Sequence, residues 1–531
     1  MNKKRLFAAV LSLMAISGCE ALVSSNETQI EAEEKGEEVE EKEERENWGL
    51  IETKVSANVQ KINDEWSNNE IIFTKPFPKE YQDVEGILTF RGDPFRNNAF
   101  IGDPSITMGT LSKEWKFQTS VSPRWGGGAG WVGQASVISW EENEKDIMAI
   151  SQEFKEKKDF KEVIYGSLDG KVYFLDLDTG KETREPIEIK NPIKGSVALD
   201  PRGYPLLYVG QGIPQTGEIG YRIYSLIDGS LLAFIPGIDS YSYRRWGAFD
   251  GAPLIHKEED AMIIGGENGL IYFIKLNTSY KPEEAKINIE PVISKYRYKQ
   301  ENNPYQGMEN SVAVYKNIAY YSDNGGGIHA LDIIKKQPLW SNDPFDDTDA
   351  TIVIDEENEN PYIYTGSQID KQGSKGVARI QKLNGLDGRV MWEKKIPGFS
   401  LLGDSPVNGG VLGTPIIGEG PLKGQVIYNI SRFKTFNGGL LISLDKETGE
   451  EVWRWEMPNY SWSSTVAVYG DNGKAYFVQG DSVGNIYLLN ESGKVLNSIN
   501  IGANIEASPI VVDNQIVVAT RGGKIYKVNI H

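Results

Sequence analysis

One unit recurs along this chain: a β-type run, a tight turn, and a second β-type run. Its clearest copy is Leu441 to Trp455, LISLDKETGEEVWRW. Further copies are Val172 to Arg184 (VYFLDLDTGKETR), Ile328 to Trp340 (IHALDIIKKQPLW) and Arg379 to Trp392 (RIQKLNGLDGRVMW), with a weaker one at Ile486 to Leu496 (IYLLNESGKVL). A unit this short cannot bury its apolar face alone, so copies have to stack or close on one another. The turns are chemically legible. Asp445 and Asp176 offer short acceptors for turn N–H groups, and Gly449, Gly180, Gly388 and Gly493 supply the left-handed residue that closes such a hairpin. From Lys113 onward, sustained 3.6-residue amphipathic periodicity is confined at most to Glu141–Phe160, which predicts an insertion with helical character.

Trp340, Trp392 and Trp453 fall at one phase of the second run. A large flat side chain used once per unit predicts a wedge between neighbouring units. These residues carry a resemblance to the pyrroloquinoline-quinone-type (PQQ-like) propeller repeat, A-x-D-x-x-T-G-x-x-x-W, of the quinoprotein dehydrogenase-like superfamily. Ser443 to Trp453 matches it at every position but the first. Ala330 to Trp340 keeps Ala, Asp and Trp and loses Thr-Gly. The leader Phe90-Arg91-Gly92-Asp93-Pro94, followed by Glu114-Trp115-Lys116-Phe117, also resembles the start of such propellers. Within that leader the Arg-Gly-Asp triplet reads as turn chemistry, not as an adhesion motif.

A second series counts the units. A small residue, then a small or hydroxyl residue, then Val, Ile or Pro opens each inner strand: Ala135-Ser136-Val137, Gly195-Ser196-Val197, Gly251-Ala252-Pro253, Asn310-Ser311-Val312, Ala350-Thr351-Ile352, Gly413-Thr414-Pro415, Ser464-Thr465-Val466 and Ala507-Ser508-Pro509. The expected fold is therefore all-β, an eight-bladed β-propeller of four-stranded antiparallel blades, with seven blades as the alternative. The last unit supplies only three strands. Lys113 to Thr119 (KEWKFQT), with Trp115 at the wedge phase, is the expected fourth, closing the ring and removing exposed edges.

The N-terminus reads as an address. Asn2-Lys3-Lys4-Arg5 precedes a short apolar run, then Ile16-Ser17-Gly18-Cys19, which resembles a lipobox. The resemblance implies a signal peptide at 1–18 and diacylation (palmitate) of Cys19, the sole cysteine, which anchors the chain to the extracytoplasmic face of the cell membrane. Residues 19–48 hold twelve Glu against Lys35, Lys42 and Arg45 and read as an acidic, disordered tether. Residues 49–112 are expected to pack on the propeller, and 113–531 to form it.

The chain carries a formal charge of −19, so nucleic acid is not an expected partner. One cysteine permits neither an intrachain disulfide nor a CxxC metal site, and three histidines (His256, His329, His531) leave little for a zinc site. No nucleophile–base constellation is recognisable, and His256 and His329 read as packed. The quinoprotein dehydrogenases that share the repeat carry a paired cysteine over the quinone, which this sequence cannot form. The reading therefore leans away from an enzyme. No cofactor or metal is expected. PQQ with calcium, in a dehydrogenase of alcohols or sugars, is the alternative. The expected role is a membrane-tethered, monomeric binding or assembly scaffold for a protein, peptide or glycan; the lipoprotein that assists outer-membrane β-barrel assembly is similar in layout.

Candidate binding residues come from register. The residue before each small pair should face one end of the central channel: Gln134, Lys194, Asp250, Glu309, Asp349, Leu412, Ser463 and Glu506. Four are acids and one is a base, so carboxylates should converge and repel unless a cationic group joins them. Arg244, Arg245 and Trp246, upstream of Asp250, are candidates for that role. The glycine-rich loop from Trp125 to Trp131 (WGGGAGW) suits a flexible binding loop, with a plain long connection as the alternative.

Overall fold

The computed structural model describes residues 62–403 and 406–531. The expected signal peptide, Cys19 and the expected tether therefore lie outside the described residues. Eight small sheets stand in a ring, and almost all regular structure is strand. Inner strands begin at Ser136–Ser139 (blade 1), Ala198–Leu199 (blade 2), Leu254–His256 (blade 3) and Ala313–Tyr315 (blade 4). They continue at Val353–Glu357 (blade 5), Ile416–Ile417 (blade 6), Val466–Tyr469 (blade 7) and Ile510–Val512 (blade 8). The chain is an eight-bladed propeller, and the seven-bladed alternative falls. Leu111–Gln118 forms the outer strand of blade 8, antiparallel to Lys524–Ile530, from Gln118 opposite Lys524 to Leu111 opposite Ile530. The insertion in blade 1 holds two short helices, Glu142–Ile147 and Gln152–Lys155.

The wedge tryptophans have a specific seat. Trp115, Trp340, Trp392 and Trp453 each lie over the turn glycine of the next blade: Gly180, Gly388, Gly449 and Gly493. A Cβ on any of these glycines would stand 2.3–2.8 Å from the indole. Their φ angles are 67–74°, so glycine is required twice over, for the left-handed turn and for the space. Three of the indole N–H groups also donate across the junction, Trp115 to Leu177 O (2.9 Å), Trp340 to Gly385 O (2.7 Å) and Trp392 to Lys446 O (2.9 Å). Trp453 is half-buried and its N–H has no partner.

Around the axis, at five junctions, the hydroxyl of the small pair has a partner as well as a size, while Thr414 Oγ1 has none. Backbone N–H groups of one blade donate to the hydroxyl of the next: Gln134 to Ser196, Ala252 to Ser311, Ser311 to Thr351, Thr414 to Ser464 and Ser464 to Ser508. Between blades 8 and 1 the backbone does the same work, with Ser508 N donating to Gly133 O (3.0 Å). Inner strands of neighbouring blades are thereby stitched head to head, and buried amides that lack a sheet partner are satisfied.

The segment before the closing strand does more than lie on the outside. Residues 85–101 thread the end of the axis toward which the inner strands run and bond every blade. Ser139 N donates to Glu85 O, Leu199 N to Leu88 O, Val314 N to Pro94 O, Ile354 N to Phe95 O and Val511 N to Ala99 O. Asn97 exchanges two bonds with Ile417. Arg91 and Arg96 are buried at 1% and 0% exposure. Arg91 donates to Thr465 O (2.8 Å) and Pro415 O (3.5 Å), and Arg96 to Val312 O (2.9 Å) and Ala252 O (3.0 Å). The guanidinium fork suits this task because it supplies five donors in a fixed plane. Asp93 turns the plug by accepting from Phe95 N (2.8 Å) and Arg96 N (2.9 Å). Upstream, Phe73, Phe77 and Tyr81 pack on blades 3 and 4, and Asn63–Trp66 adds a fifth strand to blade 3.

These seats give a graded expectation. Trp392→Ala, which removes a buried indole and leaves Lys446 O without its donor, should cost roughly 3–5 kcal/mol. Trp453→Ala should cost distinctly less. Chemical denaturation of both variants checks the order, and an equal or reversed loss would refute the junction argument. Arg96→Met should cost more than an ordinary surface change, because two inner-strand carbonyls lose their donor in a buried site; a loss under about 1 kcal/mol would show the plug to be passive.

Candidate binding site at the axial mouth

With one end plugged, the open end of the axis is the place where residues preceding the inner strands converge. Lys194 reaches from blade 2 into a cage of carboxylates. Its Nζ is ion-paired with Asp250 and lies 3.3 Å from Glu267 Oε1 and 3.5 Å from Glu309 Oε2. Its side chain is only 6% exposed. Asn324 Nδ2 donates to Glu309 Oε1 (2.9 Å), and Arg244 Nη1 donates to Asn324 Oδ1 (3.3 Å) while its Nη2 stands 4.0 Å from Glu267. Asp347 and Asp349, before blade 5, and Asp370, in the connection after its second strand, add to the same field, with Lys371 beside Asp370 at 3.8 Å.

Electrostatics separate these groups. Burial alone would lower the Lys194 ammonium, but the charges of Asp250, Glu267 and Glu309 outweigh it and hold its pKa well above the ordinary value. Burial raises Glu267 well above the usual carboxylate range, and the charge of Glu309 adds to it. Burial also raises Asp349, again reinforced by Glu309, and raises Asp347, reinforced by Asp349. In Glu309 burial is overcome by Lys194 and Arg244, so its pKa falls and its charge persists. The mouth thus keeps one firmly ionised carboxylate among several that resist ionisation.

Glu506 stands in a second group on the same rim. It accepts from Trp131 N (3.3 Å) and Asn504 Nδ2 (3.0 Å) and faces Arg521 at 3.8 Å. Trp131 links the two groups, with Lys194 Nζ 5.2 Å and the Arg521 guanidinium 5.1 Å from its ring. Trp125 meets Trp131 edge to face at 6.5 Å. Arg245 is exposed and Trp246 half-buried beside Arg244.

Gln134 does not join the acids. It is buried, and its Oε1 accepts from Arg91 N (3.4 Å) on the plug. The glycine-rich loop also differs from its expectation as a flexible element. Gly127 and Gly128 are buried, and a Cβ on Gly128 would lie 1.9 Å from Thr520 O. These glycines permit close packing on blade 8, and only the flanking tryptophans are left to face the rim.

Glu267, Asp347 and Asp370 were outside the register argument. They come from loops; the run of acids from Asp343 to Asp349 signals Asp347, and no local signal marks Glu267 or Asp370.

One Ser-His-Asp chain exists elsewhere. His329 Nδ1 lies 2.8 Å from Ser341 Oγ, and His329 Nε2 lies 3.1 Å from Asp323 Oδ2. All three residues are fully buried; Tyr321 stacks on the imidazole at 5.0 Å, and Tyr298 packs on it at a tilt at 4.6 Å. No substrate can reach that serine, so the chain is a strut within blade 4. His256 is likewise packed, with Nε2 2.9 Å from Pro76 O.

The quinone alternative is tested by the donor set. Oxygens of Asp250, Glu267 and Glu309 lie within 4.8 Å of one another, as three metal ligands could. The Lys194 ammonium lies among them. PQQ itself carries three carboxylates, which an acid-rich mouth repels, and the single cysteine cannot pair over the ring. The residues do not fit quinone and calcium.

Residues 437–531 match the family model described as outer membrane protein assembly factor BamB. The search of curated proteins returned no match. Among solved structures, quinohemoprotein alcohol dehydrogenase from Comamonas testosteroni is similar with a TM-score of 0.54 and 13% identity, over 84% of this chain and 80% of its own. The alcohol dehydrogenase ADHIIG of Pseudomonas putida HK5 gives 0.53 and 12% over the same shares. BamB from Moraxella catarrhalis shares 15% identity over 79% of this chain and 97% of its own, with a TM-score of 0.46. The fold is that of the PQQ-type propellers.

The raised carboxylates fix a pH response. A carboxyl whose folded pKa lies above its unfolded value holds its proton more tightly in the native state. Its contribution is therefore most favourable below the unfolded value and is lost as pH rises through the folded one. Above the unfolded value Asp349 therefore opposes folding, whether it keeps its proton or is forced to ionise. Asp349→Asn should stabilise the protein at pH 7.5, by roughly 1.4 kcal/mol for each unit of the upward shift, and change little at pH 4. Melting temperature against pH for both proteins checks this, and a destabilised variant at pH 7.5 would contradict it.

Proposed function

We propose that this protein is a lipid-anchored, extracytoplasmic binding or assembly scaffold that presents the mouth face of its propeller to a macromolecular partner. The observation that carries the reading is the contrast between the two ends of the axis. One is filled by a segment bonded to every blade, while the other gathers charged and aromatic side chains from blades 2 to 5, 8 and 1. An axis filled at one end cannot conduct or thread a chain; its open end can meet a partner's surface. The match of residues 437–531 to an assembly-factor family supports a protein as that partner. Anchoring rests on the lipobox-like Ile16-Ser17-Gly18-Cys19, and no helix among the described residues is long and apolar enough to cross a membrane. The protein acts as a monomer without nucleic acid or cofactor in this reading.

Two measurements test it. Cys19→Ser should abolish acyl labelling and move most of the protein out of the membrane fraction; retention with labelling refutes the anchor. A photo-crosslinker at Arg245, exposed beside the mouth, should capture a partner in membranes, whereas one at Ser492, in the blade 7 turn at the opposite end, should not. Capture from Ser492 alone would place the interface on the wrong face.

A further inference from the structure

Three of the buried orphan atoms in the acid half of the mouth are oxygens. Asn310 is 3% exposed, and its amide nitrogen donates to Thr348 O (2.7 Å) and Ser322 O (3.0 Å). That sets the side chain against the backbone between Asp347 and Asp349 and leaves Asn310 Oδ1 with no partner. Asp349 Oδ1 is buried without a partner too. Asp250 is 9% exposed; its Oδ2 meets Lys194, and no hydrogen-bond donor reaches its Oδ1. The amide oxygen only accepts, the two carboxyl oxygens accept when ionised, and all three come from the starts of three consecutive blades. Buried acceptors in native proteins are normally paired. What is missing here is a donor, and in a field of carboxylates a positively charged one.

We propose that the acid half of the mouth takes an organic cation, an ammonium or guanidinium group, as its ligand. The inference rests on the mouth-face reading and names the chemistry of what enters. An ammonium already fits this environment, since Lys194 Nζ is held by three of the carboxylates. Asp250, Glu267 and Glu309 are thereby engaged, so a divalent ion, which takes six or more oxygens, would have to displace Lys194. Three separate acceptors suit the three donors of an ammonium or the fork of a guanidinium. Aromatic faces line the same rim: Trp131 already carries Lys194 and Arg521, and Tyr305, 48% exposed, faces Lys371 Nζ at 4.8 Å. Such faces favour cations.

Two sources share this chemistry, a Lys or Arg side chain of a partner protein and a free diamine. Calorimetric titration of the full chain in detergent separates them, with a capped peptide bearing one Lys and one Arg, with putrescine, and with calcium chloride. The expected result is saturable, salt-sensitive binding of the peptide. Asp349→Asn and Glu309→Gln should each weaken it at least tenfold, with circular dichroism and melting showing intact propellers; the second variant serves if the first fails to fold. Peptide binding without putrescine binding assigns a protein side chain, and comparable binding of both assigns free organic cations. Binding of neither, binding of calcium alone, or affinity unchanged in both variants overturns the inference. If the crosslinker at Arg245 still captures a partner in that case, the mouth-face reading survives alone; if capture fails as well, both fall.

Discussion

Inner-strand amides with nowhere to go inside their own sheet are the constraint on which this ring depends. A propeller blade begins with a residue or two that precede the first ladder bond, and those N–H groups face the crowded axis, away from water. Here the hydroxyl of the neighbouring blade takes them, as Ser196 does for Gln134 and Ser508 for Ser464. The same pair of positions has to be small because strands converge there. Size and hydrogen bonding thus select Ser, Thr, Gly and Ala together, and the motif is a joint as much as a spacer. Ala252 replaces the hydroxyl in blade 3, and Gly195, just before blade 2's hydroxyl, packs against Asp250 O, where a Cβ would stand at 1.8 Å. Close backbone contact substitutes for the missing bond.

The outer radius is fixed by a different device. Each wedge tryptophan needs a glycine on the next blade, and each of those glycines is also the left-handed residue of its own turn. One residue type therefore satisfies a local and a tertiary demand at once, which is the agreement between levels that makes a sequence specify one fold. The ring then closes through Leu111–Gln118, and residues 85–101 lock it from the axis. Two buried arginines are a costly choice for a plug. Burial lowers both Arg91 and Arg96 to about 10, the nearby charge of Asp93 only partly restoring them. They remain charged at neutral pH because each donates to carbonyls from two blades, which no apolar side chain could satisfy.

Most of this architecture was legible because it repeats. Eight small-hydroxyl starts predicted eight blades, and the three-stranded remainder at the C-terminus required a strand from elsewhere, with Trp115 at the wedge phase naming it. What could not be read is what occurs once. FRGDPFRN looks like a turn in isolation; that its arginines reach Thr465 and Val312, hundreds of residues away, is information held in the ring and not in the segment. Register placed Lys194, Asp250, Glu309 and Asp349 correctly in one field, because equivalent positions in a propeller are equivalent in space. It failed for Gln134, whose side chain turns to the plug, and it was silent on Glu267, Asp347 and Asp370, which loops of unequal length carry to the mouth. The glycine-rich loop misled for a related reason: glycine signals freedom and close approach alike, and Thr520 O decides for the second.

The distribution of charge in the mouth is not what stability alone would select. Buried ion pairs replaced by well-packed apolar residues are often neutral or stabilising, and carboxylates pushed upward by burial and by one another oppose folding at neutral pH. Blades 6 and 7 show that the ring tolerates the apolar and neutral solution, since the equivalent positions there are Leu412 and Ser463, both buried. Most of the acids are gathered on blades 3 to 5, with Lys194 drawn in from blade 2 and Arg244 from the loop before blade 3, while Glu506 before blade 8 stands apart against Arg521. A purely structural funnel would have no reason for that asymmetry. A mouth that must discriminate one orientation of a charged partner from another would, because a one-sided field fixes register on approach and penalises the wrong sign.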